Sequence, residues 1–288
     1  MSERIIYVNG EFVPEKDARI SVLDHAVLYG DGVFETVVSW NGRVFRLKEH
    51  LDRFYRSMAA VALEAPFTRE TLEGLILEAV RRNDVNEAYV KWILTRGSNG
   101  TPLMHPDGCV PNLIILVQRY IDRGGAKGLR LKTTALRRPP GQVLDNNIKS
   151  LNYLNLVLAR IEAKAAGADQ ALMLDIHGHV CECPGFNVFL VRDGVLHTPL
   201  NDILVGITRN TVMEIATELG HIVKEGVYEL YHAYTADEIF LTSTAGGLLP
   251  VTELDGRRIG DGQPGPVFQR LRDGYRAALE SGRWGTPV

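Results

Sequence analysis

Lysine is scarce in this chain, with 8 residues against 24 arginines, so any lysine standing away from other charges is conspicuous. Cysteine is scarcer still: three residues, Cys109, Cys181 and Cys183, too few and too odd in number for a disulfide framework. They fit a reducing compartment. Long apolar runs are missing; Leu113 to Val117 is among the longest, far short of the ~20 residues of a membrane span. The opening MSERIIYVNG has no long apolar core, so no secretory leader and no membrane are expected, and the cytoplasm is the expected location. No basic tract stands out and the formal net charge is −3, which argues against a nucleic-acid partner. A P-loop, a full G-x-G-x-x-G and a G-x-S-x-G are all absent, so nucleotide-binding and serine-hydrolase readings lose their signatures. What remains is ordinary globular composition: 288 residues, 45% hydrophobic and 23% charged, enough for one large or two modest domains.

Two Asn-Gly pairs, Asn9-Gly10 and Asn41-Gly42, each separate two apolar runs and predict hairpins. Periodicity predicts helices over 48–62 and 68–83, with Thr68 as a cap, and strands over 88–95 and 113–118. This half reads as an antiparallel sheet with helices, an α+β arrangement. The polar, glycine-rich RYIDRGGAKG then suggests a boundary, giving domains over 1–119 and 128–288 joined by a linker at 120–127. Beyond it, strands are expected over 129–135, 171–175, 188–191 and 238–242. Helices are expected over 150–166, with Leu151, Leu154, Leu158 and Ile161 in period, and over 208–219.

Lys149 sits in NNIKSLNYLN, away from other charges, at the mouth of the expected 150–166 helix. A helix N-terminus disfavours an ammonium, and a neutral amine is a nucleophile. Tyr153, four residues on, would share its helix face. The plainer reading is a lysine lying along the helix start with its head in water. His177, His179, Cys181 and Cys183 alternate in HGHVCEC and invite a zinc assignment. On a strand, however, they would spread over ~20 Å, too far for one tetrahedral ion. No metal is expected, and Glu182, on the opposite face, becomes the residue of interest. Gly206-Ile207-Thr208 opens a helix and could present N–H groups to a phosphate. Ser243-Thr244-Ala245-Gly246-Gly247 offers hydroxyls and close backbone approach; either stretch is also a plain turn. Alternation puts Tyr89 and Lys91 on one strand face, with Lys91 either an edge guard or a pocket cation.

In order, these pieces resemble the class IV, fold type IV pyridoxal-phosphate aminotransferases. The resemblance runs from YVNGEFVP to GDGQPGP. It is closest to the branched-chain amino acid aminotransferases in DHAVLYGDGVFE, RLKEHLDRFYRS, NIKSLNYLN and ADEIFLTSTA. It implies two domains, a small N-terminal α/β sandwich and a larger C-terminal β-barrel-like domain with helices. It also implies a pyridoxal 5′-phosphate cofactor. Lys149 then matches the lysine that binds the cofactor covalently and later moves the proton. Glu182 matches the acid beside the pyridine nitrogen, Tyr153 the partner of the phenolic oxygen, and Arg53 the phosphate-binding arginine. Ile207, Thr208 and Thr244 match the phosphate cradle, and Leu204 an apolar side chain on the ring. Tyr29, Phe34 and Tyr89 match pocket walls, and the Thr244-Ala245 turn the carboxylate donors; Trp92 is expected to add aromatic surface near the same pocket.

Three positions depart from the branched-chain pattern: Thr36 and Cys183 stand where glycine is usual, and Lys91 where arginine is usual. The AGG at 245–247 and the RRPPG at 137–141 look more like (R)-selective amine transaminases. The resemblance therefore implies transamination between an apolar amino acid or a primary amine, including (R)-amines or D-amino acids, and a 2-oxo acid such as 2-oxoglutarate or pyruvate. An aminodeoxychorismate lyase-type activity is the alternative on this fold. Related enzymes complete the pocket from a neighbouring chain near DHAVLYG, so a homodimer or higher homo-oligomer is implied.

Overall fold

The computed structural model describes residues 3–85, 87–120 and 127–288, so most of the expected linker, 121–126, lies outside the described residues. Two compact units emerge. The first comprises Met1–Tyr120, Ile148–Asn152 and Leu279–Val288; the second comprises Ile121–Asn147 and Tyr153–Ala278.

Unit 1 begins with the hairpin of β1 (Ile5–Val8) and β2 (Glu11–Pro14), closed by Asn9 (φ 49°) and Gly10 (φ 105°). Two successive positive φ angles match the right-handed twist of the strands, which is why Asn-Gly is read so well from sequence. A short helix α1 (His25–Tyr29) is capped by the Asp24 carboxylate on the Ala26 N–H. A second Asn-Gly turn joins β3 (Gly32–Trp40) to β4 (Arg43–Phe45). Two helices follow, α2 (Leu47–Ala60) and α3 (Arg69–Asn83); Thr68 caps α3 by accepting from the Thr71 N–H. β5 (Ala88–Ser98) and β6 (Val110–Arg119) complete the main sheet, whose order is C-terminal strand (Gly285–Pro287), β4, β3, β5, β6, β1, β2.

Helices α2 and α3 cover one face of this sheet, where Leu51, Phe54, Leu72 and Ile76 meet Val37, Val90 and Trp92 in one core. Burial alternates along β5. Register pairs Thr36 with Lys91 and Phe34 with Ile93, so Phe34, Thr36, Tyr89 and Lys91 share the face away from that core. Trp92 points the other way, fully buried with its ring 5.8 Å from Phe54. The expectation that it adds aromatic surface beside Tyr89 is therefore corrected.

Strand β4 meets β3 only at Ser39 and Trp40, leaving the Gly32–Phe34 end of that edge open. Residues 148–151 occupy it. The Phe34 N–H donates to the Lys149 carbonyl at 2.9 Å, the Leu151 N–H donates to the Gly32 carbonyl at 3.0 Å, and Val33 bridges Ser150. A Cβ at Gly32 would come within 2.7 Å of the Leu94 carbonyl oxygen and 2.8 Å of the Leu151 side chain, so only glycine fits there. The expected 150–166 helix consequently starts late, as α4 (Leu154–Ala165), because Ser150 and Leu151 are spent on the sheet.

Unit 2 carries a closed barrel. Its strands are β7 (Leu129–Arg137), β8 (Gln170–Leu174), β9 (Val180–Cys183), β10 (Phe186–Arg192), β13 (Glu238–Ser243) and β14 (Gly247–Leu254), paired in the cyclic order β10, β13, β14, β7, β8, β9 and back to β10. Closure removes the free sheet edges between these six. β11 (Val195–Pro199) and β12 (Val223–Gly226) extend from β10. Leu131, Leu172, Val188, Ile239 and Leu249 pack in its core. Helix α4 packs on β7 and β8 through Leu156, Ala159 and Ala163, so the periodic Leu154, Leu158 and Ile161 are its exposed side, the reverse of the expected face. Helix α5 (Ile207–Glu218) follows Gly206; α6 (Leu230–Tyr234) and α7 (Pro266–Glu280) complete the helices. The architecture is the expected α+β pair, a sheet under helices and a β-barrel with helices.

Trp92→Phe removes part of the largest side chain in the unit 1 core. Its urea midpoint should fall by an equivalent of about 1–3 kcal/mol; an unshifted midpoint would mean the indole contributes nothing to packing.

Candidate active site

In unit 1, Lys149 reaches its position by backbone pairing rather than by a helix. Its carbonyl is held by Phe34, and its own N–H donates to the Ser57 Oγ of α2 at 3.1 Å. Pairing opposite Phe34 puts both side chains on one face, and the Lys149 Nζ lies 4.4 Å from the Phe34 ring centroid. Helix α4 begins only at Leu154, so neither the helix-terminus argument for this amine nor a helix face shared with Tyr153 holds. Lys149 is buried despite its charge.

Lys91 approaches the same ring, Nζ to centroid 4.3 Å. Burial lowers the Lys91 ammonium below its ordinary range, and the positive charge of Lys149 lowers it further. Of the two sequence readings of Lys91, the edge guard is lost, since β5 lies between β3 and β6. Tyr89 is half-buried on the same face. Tyr29 ends α1 and donates its hydroxyl to the Pro102 carbonyl, which ties α1 to the loop between β5 and β6.

On the opposite face of β3, Glu35 is fully buried. Its Oε1 accepts from Arg53 Nε at 2.6 Å; its Oε2 meets His50 Nδ1 at 2.6 Å and the Thr36 N–H at 2.8 Å. Burial pushes the Glu35 carboxyl up, but Arg53 and His50 outweigh it and hold it well below the usual carboxylate range. Burial, joined by the positive charges of Arg53 and Lys149, lowers His50 by more than Glu35 restores. A carboxylate only accepts, so His50 donates through Nδ1.

In unit 2, Glu182 and Asn187 face each other across the β9–β10 hairpin. The Asn187 Nδ2 donates to Glu182 Oε2 at 3.1 Å and to the Leu204 carbonyl at 2.8 Å. The Leu204 N–H donates back to Glu182 Oε2 at 3.1 Å. Arg138 meets Glu182 Oε1 at 2.8 Å, and both are buried. Helix α5 starts at Ile207 and Thr208 with no side-chain cap on its first turn. At Gly206 a Cβ would collide with the Asn187 amide oxygen, so the chain can enter the helix this closely only as glycine. Thr244, Ala245 and Gly246 form the tip of the β13–β14 hairpin, with the Gly246 N–H donating to Ser243 Oγ at 2.9 Å. Tyr153 stands at the N-cap of α4, half-buried against its helix.

His177 and Gly178 turn, and His179 Nδ1 meets Asp175 at 2.7 Å. Cys183 lies in the barrel core, where burial pushes its thiol far up, so the residue that replaces glycine there is packing.

The profile of the amino-transferase class IV family matches residues 32–254. The chain belongs to the class IV aminotransferases. A relative from Methanocaldococcus jannaschii, which carries the name branched-chain-amino-acid aminotransferase provisionally, is 43% identical over 286 residues, 98% of each chain. The branched-chain-amino-acid aminotransferase of Pseudomonas aeruginosa is 36% identical, covering 94% of this chain and 91% of its own. The T.th. branched-chain amino acid aminotransferase, solved with pyridoxamine 5′-phosphate, superposes with a TM-score of 0.95 at 38% identity, covering 100% of this chain and 99% of its own. The chain is thus an aminotransferase of fold type IV, and its substrates are an amino donor and a 2-oxo acceptor.

Within unit 1 the structure brings together Phe34, Lys91 and Lys149; within unit 2 it brings together Glu182, Leu204 and Asn187. Sequence reasoning passed over Arg138, Asn187, Glu35 and His50 as site residues. Signals for them exist. His50 and Arg53 are polar residues on the buried face of an amphipathic helix. Asn187 sits symmetrically with Glu182 about a two-residue Pro-Gly turn.

The Glu35–His50 pair sets a sign for acid stability. Both groups have folded values below their unfolded ones, so the stability they contribute is present above the unfolded values and is lost as pH falls. His50 acts below about 6.5 and Glu35 below about 4.3, each at up to about 1.4 kcal/mol per pH unit. Denaturant midpoints should decline from pH 7 to pH 4, and less steeply in His50→Gln. Equal slopes would show that His50 takes up its proton alike in both states.

Proposed function

We propose that this aminotransferase works with pyridoxal 5′-phosphate held covalently at Lys149, and that it moves amino groups between apolar, branched-chain-type amino acids and 2-oxoglutarate. The observation that carries the reading is the buried Lys149, the amine whose backbone is locked to β3 and α2 and whose Nζ lies against Phe34. The donor set fits the cofactor's chemistry. The uncapped first turn of α5 at Ile207 and Thr208, with Gly206 where no side chain fits, suits a phosphate, as does the Arg53 guanidinium. Glu182, fixed by donors on both oxygens, suits a pyridine nitrogen. Tyr153 would meet the phenolic oxygen, Leu204 the ring and Thr244 the phosphate.

When bound, the cofactor supplies a reactive carbonyl and a ring that accepts electron density from the substrate Cα. The residues supply the rest. Lys149 Nζ would hold the cofactor covalently and, once the substrate amine displaces it, would be free to move a proton away from the substrate Cα. Glu182 would keep a proton on the pyridine nitrogen of the bound cofactor. Phe34 and Tyr89, joined by a Tyr29 from the neighbouring subunit, would wall an apolar side chain and exclude water, and the Thr244-Ala245 turn would offer N–H donors to the substrate carboxylate. A relative solved with norvaline, from Thermoproteus uzoniensis, and the T.th. enzyme solved with N-(5′-phosphopyridoxyl)-L-glutamate support both substrate types.

With leucine and 2-oxoglutarate, Lys149→Ala should abolish glutamate formation and the borohydride-trappable cofactor adduct. Glu182→Gln should stay folded but slow the Cα proton step by orders of magnitude. Normal turnover in the first, or a near-native rate in the second, sinks the respective role.

Lys91 is proposed to meet the second carboxylate of glutamate or 2-oxoglutarate. Lys91→Ala should raise the Michaelis constant for these partners by about 1–3 kcal/mol, and much less for leucine or for carboxylate-free (R)-amines. Equal losses for both classes would reduce Lys91 to a packing role.

A homodimer in the cytoplasm completes the proposal, with Tyr29 serving the partner's site. Val22, Val27, Leu103, Met104 and Val110 in unit 1 and the Leu154–Ile161 side of α4 in unit 2 are exposed apolar surface, which supports self-association. Three cysteines, too few and too odd in number for a disulfide framework, suit a reducing compartment. Sedimentation at assay concentration should give a dimer; a fully active monomer would refute this.

A further inference from the structure

We propose that Glu35 and His50 are positioning residues that aim the Arg53 guanidinium at the cofactor phosphate, an inference that rests on the reading of Arg53 as a phosphate ligand. A guanidinium is a rigid planar fork, so fixing one N–H fixes the plane of the others. Glu35 Oε1 holds Arg53 by Nε, at 2.6 Å. The edge made by the two terminal nitrogens is then the one that can meet two phosphate oxygens at once. The carboxylate that does the holding cannot swing, because His50 Nδ1 and the Thr36 N–H both anchor Oε2, at 2.6 and 2.8 Å.

Burial makes the device consequential. Glu35, His50 and Arg53 are 0%, 2% and 6% exposed. A buried guanidinium without a counter-charge is costly, so Glu35 keeps Arg53 in place before any phosphate arrives. The same helix carries a further part. Spacing of i, i+3 and i+7 on α2 puts His50, Arg53 and Ser57 on one buried face, and Ser57 accepts the Lys149 N–H. One polar stripe therefore sets both the proposed phosphate ligand and the backbone of the amine. Glu35 and His50 touch neither substrate nor cofactor in this account; they act through Arg53.

The test uses the full chain stripped of cofactor and titrated with pyridoxal 5′-phosphate and with pyridoxal, which lacks the phosphate. The ratio of the two dissociation constants reports phosphate recognition alone. Arg53→Met should collapse that ratio. Glu35→Gln should shrink it about 10-fold to 100-fold, the range for a lost hydrogen bond to a charged group, with pyridoxal affinity nearly unchanged. Glu35→Asp, which keeps the anion on a shorter arm, should fall between, and it stands in if Glu35→Gln does not fold. His50→Gln should shrink the ratio less than Glu35→Gln, since it loosens only one anchor of the carboxylate. Glu35→Gln combined with Arg53→Met should give the ratio of Arg53→Met alone. An unshifted ratio in Arg53→Met overturns the phosphate reading and the proposal with it. A collapsed ratio in Arg53→Met with an unshifted one in both Glu35 variants, or equal losses for both ligands in them, overturns the positioning role alone.

Discussion

The open half-edge of β3 is the constraint on which the candidate site depends. Because β4 is short, the Gly32–Phe34 end of β3 has no strand on that side, and Ile148–Asn152 fills the gap. A sheet edge fixes a chain far more tightly than a loop does, since each paired N–H and C=O must be satisfied in register. Lys149 thereby inherits the geometry of the sheet. Its side chain must share the face of Phe34, because residues directly opposite in an antiparallel pair point the same way. A slip of one residue would turn the amine to the helix-covered face, against the core of Phe54 and Trp92.

The same alternation sorts the charges of unit 1. Successive residues Phe34 and Glu35 serve opposite faces: the ring takes the two lysine ammoniums, and the carboxylate takes Arg53 and His50 through the sheet's other side. Glu35 is also lowered by the Lys149 charge, so the two faces are not electrically separate. An anion beneath a sheet that carries one buried and one half-buried cation above it offsets part of their desolvation cost. Lys91 feels Lys149 as a like charge and is lowered by it after burial. A smaller residue at 34 would remove the surface over which both ammoniums lie.

How much of this was legible follows from what each signal depends on. The Asn-Gly hairpins, the Thr68 cap and four of the six barrel strands, β7, β8, β10 and β13, were readable because turn chemistry and period are local properties. The family motifs carried Lys149, Arg53 and Glu182 as candidates without any account of what holds them. The start of α4 was misread because Leu151 is in period with the helix, while its N–H is claimed by Gly32, far away in sequence. Tertiary pairing overrode local propensity there. The apolar side of α4 was assigned inward because sequence cannot tell which side of a helix the barrel covers; small residues, Ala159 and Ala163, lie against β7 and β8 instead. Trp92 was placed by its aromaticity, where alternation from Tyr89 already puts it on the other face.

Two carboxylates in this chain are built alike, and the comparison separates holder from held. Glu35 has Arg53 on Oε1 and two weaker donors, His50 and the Thr36 N–H, on Oε2. Glu182 has Arg138 on Oε1 and two weaker donors, Asn187 and the Leu204 N–H, on Oε2. In both, a guanidinium supplies the counter-charge that burial demands, and the lesser donors forbid rotation. The difference lies in which partner has chemistry left to do. Donors on both oxygens leave Glu35 on the core side of β3, where Arg53, and not the carboxylate, carries the proposed contact. Glu182 has the same kinds of donor, but its main-chain donor, Leu204, lies just ahead of the uncapped start of α5. A carboxylate has about four acceptor directions, and the ring N–H of the proposed cofactor would draw on that capacity beside Arg138, Asn187 and Leu204. The same arrangement thus uses the carboxylate to hold an arginine in one unit, and an arginine to hold the carboxylate in the other.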